Sequence, residues 1–411
     1  MARRSPLFAT LIPLALGSAG AQADDAPTEP KTEVGAVPLL GGDSDIGFGG
    51  GELSSITRLA PGYVPYRWRV ESGALITFKG SAGDGLRVPY QDYYVRLTVP
   101  DLVPRALRLE VRPSYTKEST QLYYGIGNNS PAPDAGPQGQ SEADYFQYGR
   151  LHPTLQVRVQ LTLGHALFFL VGESITYNRI DVHPGSQLDR DLGSPSNALR
   201  PFFGPLAPHI VNFFEYALLL DTRDDETNPT TGMYHQLKLR LSPGGTANFP
   251  YRYGQLDAIA RFYTTPIRRW LGVDLRIVGD GQFGHPPFYE LARYEDTFAI
   301  GGVNGVRGVP AQRYYGKVKL FGNLEARSEL VDFKLFKSEY TLGAAIFFDA
   351  GRLWSGWTAD SSLDGAGVGL KYGVGFGLRV QQGKAFVVRG DVAWSPDARP
   401  IAGYFTAGHT F

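Results

Sequence analysis

Along most of this chain apolar and polar residues alternate one by one. Leu107, Leu109 and Val111 alternate with Arg108, Glu110 and Arg112, and Leu155, Val157, Val159, Leu161 and Leu163 alternate with Gln156, Arg158, Gln160 and Thr162. Leu237, Leu239 and Leu241 stand against Gln236, Lys238 and Arg240. Tyr66, Trp68, Val70, Ala74, Ile76 and Phe78 share one phase while Arg67, Arg69, Glu71, Thr77 and Lys79 share the other. A period of two places successive side chains on opposite faces of a strand, and a slip of one residue would put every charge on the wrong face. The pattern predicts strands over 44–58, 66–80, 86–102, 106–118, 142–163, 165–181, 209–224, 232–243, 251–266, 271–284, 317–333, 338–354, 368–382, 384–396 and 402–411.

A soluble sandwich with one wet face would alternate in the same way. Three features favour a membrane barrel instead. Charges keep to one phase from the first strands to the last, several runs reach the roughly 9–11 residues that cross a bilayer, and an export signal precedes them. In hydrocarbon every backbone group must be paired within the protein, so such strands close into a barrel. Single-chain bacterial barrels have even strand numbers, and fifteen candidates therefore imply a sixteenth, before residue 64 or inside 119–141. The expected fold is all-β: a transmembrane antiparallel β-barrel of sixteen strands occupying 44–411. Short turns at Pro100 to Arg105, Leu163 to His165 and Pro266 to Leu271 contrast with long connections at about 119–141, 183–208, 285–316 and 355–367. Short turns face the periplasm in such barrels and long loops face outward.

Composition agrees with a wall that is apolar outside and polar inside. Hydrophobic residues make up 43% of the 411, aromatics 13%, and 51 glycines are spread along the chain, yet mean hydropathy is slightly negative. Arg3 and Arg4, an apolar run from about Leu7 to Leu16 and Ala21-Gln22-Ala23 form the n-region, h-region and cleavage site of a signal peptide over 1–23. The paired arginines carry little else of a twin-arginine motif. Residues 24–43, acidic and rich in proline and glycine, read as a short periplasmic segment. No later run of about 18 apolar residues offers a helical span. The absence of cysteine suits an exported protein without a disulfide framework. Basic and acidic residues number 40 each, which gives no electrostatic footprint for nucleic acid.

Enzymatic chemistry finds no foothold. The seven histidines are scattered without metal-ligand spacing, and no serine sits in a nucleophile motif. The acids Asp221, Asp224, Asp225 and Glu226 fit a polar turn better than a calcium loop. Gly47-Phe48-Gly49 and Gly373-Val374-Gly375-Phe376-Gly377 lie within strand patterns and open no helix, so they do not read as dinucleotide loops but as relief of crowding in the wall. No cofactor is expected.

Four stretches in order resemble the barrel of the BamA/TamA superfamily, also called the bacterial surface antigen family. They are YYGIGN (Tyr123 to Asn128), DTRDDETNPTTG (Asp221 to Gly232), GGVNGVRGV (Gly301 to Val309) and FFDAGRLW (Phe347 to Trp354). The second is similar to the family's turn motif through Asp221, Arg223, Asp224, Pro229 and Gly232. The third resembles its loop signature through Val306, Arg307 and Gly308. Val309 departs from the usual aromatic, and His409 stands where a second C-terminal aromatic is common. Phe411 matches the terminal residue read by the assembly machinery, and no stretch resembles the family's POTRA modules.

The resemblance implies a long sixth outer loop folded into the lumen, with Arg307 meeting Glu325 and Asp349 on the next two strands. Alternation independently places both carboxylates inward, since Glu325 is out of phase with Leu324 and Ala326 and Asp349 with Phe348. An arginine between two carboxylates forms forked, charge-assisted bonds that lysine cannot copy. The resemblance further implies a Gram-negative outer-membrane location and a part in membrane biogenesis, with protein or lipid clients passing a lateral seam. Its expected partners are lipopolysaccharide and phospholipid, the barrel assembly machinery during biogenesis, and a client or periplasmic protein. A solute pore, hydrated by interior residues such as Arg240, Asp257, Arg261, Asp274, Arg276 and Arg389, is the competing reading. A scaffold for a periplasmic partner is a third.

Overall fold

The computed structural model describes residues 29–411 apart from 44–46, 64–65, 82–84, 104–105, 132–136, 138–144, 194–195, 197, 226–227, 296, 336–337, 383–385, 398–400 and 408–411. The signal-peptide segment 1–23 and Phe411 lie outside the described residues.

One antiparallel sheet dominates, and its eighteen ladder segments make sixteen wall strands. They are β1 (Lys31–Asp43), β2 (Gly47–Leu59), β3 (Trp68–Ser81), β4 (Tyr90–Val103), β5 (Leu107–Leu122), β6 (Gln147–Leu151 and Thr154–Thr162), β7 (Leu167–Val182) and β8 (His209–Asp221). The second half comprises β9 (Gly232–Ser242), β10 (Tyr253–Ile267), β11 (Leu271–Gly284), β12 (Val318–Leu335), β13 (Ser338–Trp354), β14 (Lys371–Gln382), β15 (Phe386–Trp394) and β16 (Ala402–Ala407). Gly85–Arg87 only extends the end of β3 as a short hairpin, and the two pieces of β6 lie between the same neighbours.

The strand missing from the alternation is β1. Residues 24–43 are therefore not simply a periplasmic segment, because Lys31–Asp43 pairs along its whole length with β2. Glycines and Pro38 erase the period-two signal there, and a strand at the beginning of a sheet tolerates proline because one side of it needs no ladder.

Phase decides which solvent each side chain meets. The inward set includes Arg276, Lys319, Asn323, Glu325, Asp349, Arg389 and Asp391, all buried, whereas Leu237, Ile277, Leu320, Leu324, Ile346 and Phe376 point out and are 44–65% exposed. This inside-out distribution is what a barrel in hydrocarbon requires. Among the described residues no helix is long and apolar enough to cross a membrane.

The connections sort by rim. Those after β5, β7, β11 and β13 share one rim, and the turns after β6, β8 and β10 share the other. Counted along the long-loop rim, 285–317 is the sixth connection, loop 6. It carries a 3-10 turn at Phe288–Glu290 and a small hairpin of Arg293–Tyr294 with Thr297–Phe298.

At the middle of β13, Ile346→Arg should cost about 2–4 kcal/mol, the midplane penalty for a lipid-facing arginine. Urea unfolding in lipid vesicles measures it, and an unchanged midpoint would remove this face from the membrane.

Candidate functional site: the loop 6 lock

Loop 6 enters the lumen because its polar groups find partners on the wall. Arg276 on β11 donates to the Asn304 carbonyl at 2.5 Å and, at 3.0 Å, to Asn323 on β12, which in turn donates to the Gly305 carbonyl at 2.7 Å. Arg150 on β6 pairs with Glu290 at 3.1 Å, and Glu295 contacts Lys238 and Gln236 on β9. The apolar side of the loop packs Ile300, Val306, Val309 and Tyr314 against Phe321 on β12 and Leu353 on β13. Val309 is fully buried there, so an aliphatic residue fills the position that is usually aromatic.

At the loop tip Arg307 is fully buried. Its Nε and Nη2 fork onto Asp349 at 2.7 and 3.0 Å, and its backbone N–H donates to the same carboxylate at 3.1 Å. Nη1 donates to Glu325 at 2.9 Å and to Asp391 on β15 at 3.2 Å. The guanidinium lies 3.4 Å from the centroid of the Phe347 ring, a cation–π contact in a desolvated setting. The structure thus brings Arg307, Glu325 and Asp349 together and adds Asp391 and Phe347.

The carboxylates are shared. Arg379 on β14 donates to Glu325 at 3.0 Å and to Asp391 at 2.5 Å, and Arg389 on β15 stands 3.5 Å from Asp391. Arg389 also donates to the Val303 carbonyl of loop 6 at 3.3 Å. Three guanidinium groups therefore face three carboxylates, which compensates the buried charge. Gly308, the next residue of the loop signature, has φ +95° and donates its N–H to the Tyr404 hydroxyl on β16 at 2.9 Å.

Space for this cluster comes from β14. Gly373, Gly375 and Gly377 form its inward stripe opposite Asp349, Phe347 and Ala345. A Cβ at Gly373 would lie 1.8 Å from the Arg307 carbonyl oxygen, and one at Gly377 would lie 2.0 Å from Asp391 Oδ1. The glycines that imitate a nucleotide loop in the sequence are the recess into which the lock fits.

The other motifs occupy the two rims. In YYGIGN, Tyr123 is buried edge-on against Tyr315 of loop 6 at 5.2 Å, and Gly127 donates to the Tyr315 carbonyl at 2.7 Å. At the short-turn rim Asp221 takes a forked pair from Arg223 at 2.9 and 2.7 Å. Partial burial works against the Asp224 anion, but hydrogen bonds from the Thr230 side chain and from the Thr230 and Thr231 amides hold its carboxyl below the usual range. Gly232 has φ +103°, and a Cβ there would meet the Thr222 carbonyl at 2.3 Å. The turn folds across the barrel mouth: Pro229 accepts from Arg327 on β12 at 3.2 Å, and Asn228 donates to Gln381 on β14 at 2.7 Å. Between turn and lock lies a cavity of about 660 Å³, lined by Thr230, Arg268, Arg327, Ser328 and Arg379.

The family resemblance nominated Glu325 and Asp349, and alternation placed both inward. Alternation could also have marked Arg379 and Asp391, which hold inward phases on β14 and β15. What it could not supply is their convergence, which depends on the register of four neighbouring strands.

Arg307→Ala should destabilise the barrel by about 3–5 kcal/mol, since Asp349 is left buried without its partner. Arg307→Lys should recover only part, because an ammonium cannot fork. Urea unfolding in detergent reads both, and equal stability of wild type and Arg307→Ala would reduce the lock to an incidental contact. Gly373→Ala should weaken loop 6 in the same assay without changing any charge.

Comparison with known proteins follows the same lines. No curated protein sequence matches the chain. Among solved structures it is similar to BamA from Haemophilus ducreyi lacking POTRA domains 1-3, with a TM-score of 0.58 and 11% identity over 92% of this chain and 70% of that one. It is also similar to CdiB from Escherichia coli, with a TM-score of 0.55 and 13% identity over 98% of this chain and 67% of that one. At such identities these likenesses speak for the barrel fold alone. The sequence model of the Omp85 superfamily domain matches residues 106–411, from the start of β5 through the loop 6 signature to the C-terminus, and this chain is a member of the Omp85 superfamily of bacterial outer-membrane barrels.

Proposed function

We propose that this barrel serves outer-membrane biogenesis, assisting the insertion or translocation of client polypeptides, or of lipid, at the seam between β16 and β1. The observation that carries the reading is the reach of the lock. Arg307 is held by β12, β13 and β15, and the adjacent Gly308 holds Tyr404 on β16, so loop 6 ties the lumen interior to the strand that ends the sheet. Every other neighbouring pair of strands shares a ladder, but among the described residues none joins β16 to β1. Among the described residues β16 spans 6 and β1 spans 13. A client arriving from the periplasm would meet the 660 Å³ cavity first, and Arg379 lines both that cavity and the lock. The role is non-enzymatic, and its partners are a client protein, outer-membrane lipids including lipopolysaccharide, and, during its own assembly, the barrel assembly machinery.

The pore reading draws less support, because loops 123–146, 183–208 and 285–317 pack a common aromatic cluster of Tyr123, Phe202, Phe288 and Tyr315 at the extracellular rim.

Proteoliposomes containing the barrel should accelerate insertion of a urea-unfolded outer-membrane protein over empty liposomes. A cysteine pair bridging β1 and β16, engineered into a chain that has no native cysteine, should abolish the gain until reductant is added. Equal rates with and without the barrel would defeat the proposal. In planar bilayers the wild type should show little steady conductance and Arg307→Ala more frequent opening. A large, steady wild-type conductance would favour the pore.

A further inference from the structure

The lipid-facing wall is not flush between β11 and β13. Ile277, Gly322 and Ala350 are consecutive cross-strand partners in the outward phase, so the row falls from isoleucine to glycine and alanine. Leu320 opposite Arg352 borders this row on the extracellular side, and Leu324 opposite Phe348 borders it on the other. The two small residues leave an apolar hollow of about 630 Å³, with Trp354 at one end and Val368 and Leu370 over it. The loop at 355–370 thus descends along the outside of the wall, leaving Val368 73% and Leu370 50% exposed at the membrane surface.

Arg352 holds that loop segment in place. Its Nη1 donates to the Gly367 carbonyl at 2.6 Å and to that of Val368, and its guanidinium lies 5.1 Å from the Trp354 ring. It belongs to the outward phase with Ile346, Phe348 and Ala350. Lumen arginines nearby pair with carboxylates, as Arg327 does with Asp274 and Arg379 with Glu325. Arg352 has carbonyl dipoles but, among the described residues, no carboxylate, and its Nε is buried without a hydrogen-bond partner. The penalty for a lipid-facing arginine falls from about 2–4 kcal/mol at the midplane to about 0–1 near the interface, which places Arg352 and Trp354 at head-group level. The chain has no net charge, so it does not attract anionic lipid through its overall field.

We propose that this hollow is a site for a lipid of net negative charge: an acyl chain of an anionic, phosphate-bearing outer-leaflet lipid lies over Gly322 and Ala350, and its phosphate, not neutralised by a head-group cation, supplies the anion that Arg352 lacks. Guanidinium matches phosphate by geometry as well as charge. The site lies outside the lumen and does not depend on the lock or on any client.

The full-length barrel in mixed micelles of equal dioleoylphosphatidylglycerol and dioleoylphosphatidylcholine, read by native mass spectrometry, tests it. The wild type should retain the anionic lipid about fivefold over the zwitterionic one, the scale of one interfacial arginine. Arg352→Gln should erase that preference while still retaining lipid, and Ala350→Leu, which fills the hollow, should lose retention of both. Both substitutions face outward, and heat-modifiable migration in gels confirms that each variant is folded. Should Ala350→Leu misfold, bromine-labelled phosphatidylglycerol provides the second readout. It should quench wild-type fluorescence by a component absent in Trp354→Phe and reduced in Arg352→Gln. A wild type without preference, or a preference unchanged in Arg352→Gln, overturns the proposal.

Discussion

A guanidinium with no access to water must meet its counter-charges inside the protein, and the interior of this barrel is arranged around that requirement. Arg307 is carried on a loop, and its partners are carried on the wall. Asp349 satisfies most of its fork, while Glu325 and Asp391 take the remainder and are themselves shared with Arg379 and Arg389. No member leaves the cluster without stranding another in a low-dielectric space, where an unpaired charge costs far more than the pair contributes. The position of loop 6 follows from that electrostatic demand. So does the glycine stripe on β14, which must stay free of side chains for the guanidinium to reach its partners.

The wall separates two environments, and the alternation of side chains follows that division over most of its height. It bends at the rims, and those exceptions carry information. At the periplasmic mouth the turn at 222–231 folds inward and is held by β10, β12 and β14 rather than extending into solvent. At the extracellular rim Arg352 points to lipid and a loop drops over the outside of the wall. Both departures place polar backbone where a bare rim would leave side chains without partners.

The lock, the periplasmic cavity and the last strand form one connected system. Arg327 links the periplasmic turn to β11 through Asp274, and Arg379 links the cavity above that turn to Glu325 and Asp391. Gly308 then connects the lock to Tyr404 on the last strand. A ligand that competes for Arg379 would weaken two of the three carboxylates holding Arg307. Membership of the Omp85 superfamily makes such a route between periplasm and seam a natural place to look for function.

Much of this was legible in the order of residues. A period of two is a local property, so the strands, the two faces, and the inward direction of Glu325 and Asp349 could be read without knowing which strand neighbours which. β1 escaped because glycine and Pro38 carry no phase, and its identity as a strand comes only from the ladder with β2. The meeting of Arg307 with Asp391 and Phe347, of Arg379 with Glu325 and Asp391, and of Gly308 with Tyr404 was likewise beyond the sequence. Residues up to 96 positions apart in the chain become neighbours there only through strand register and the path of a loop across the lumen. The hollow beside Arg352 has the same origin: glycine on one strand and alanine on the next make a cavity only because the register places them side by side. The sequence by itself determined the alternation, because that depends on backbone geometry within each strand. The tertiary structure decided every convergence, because distance across a sheet is set by pairing and not by position along the chain.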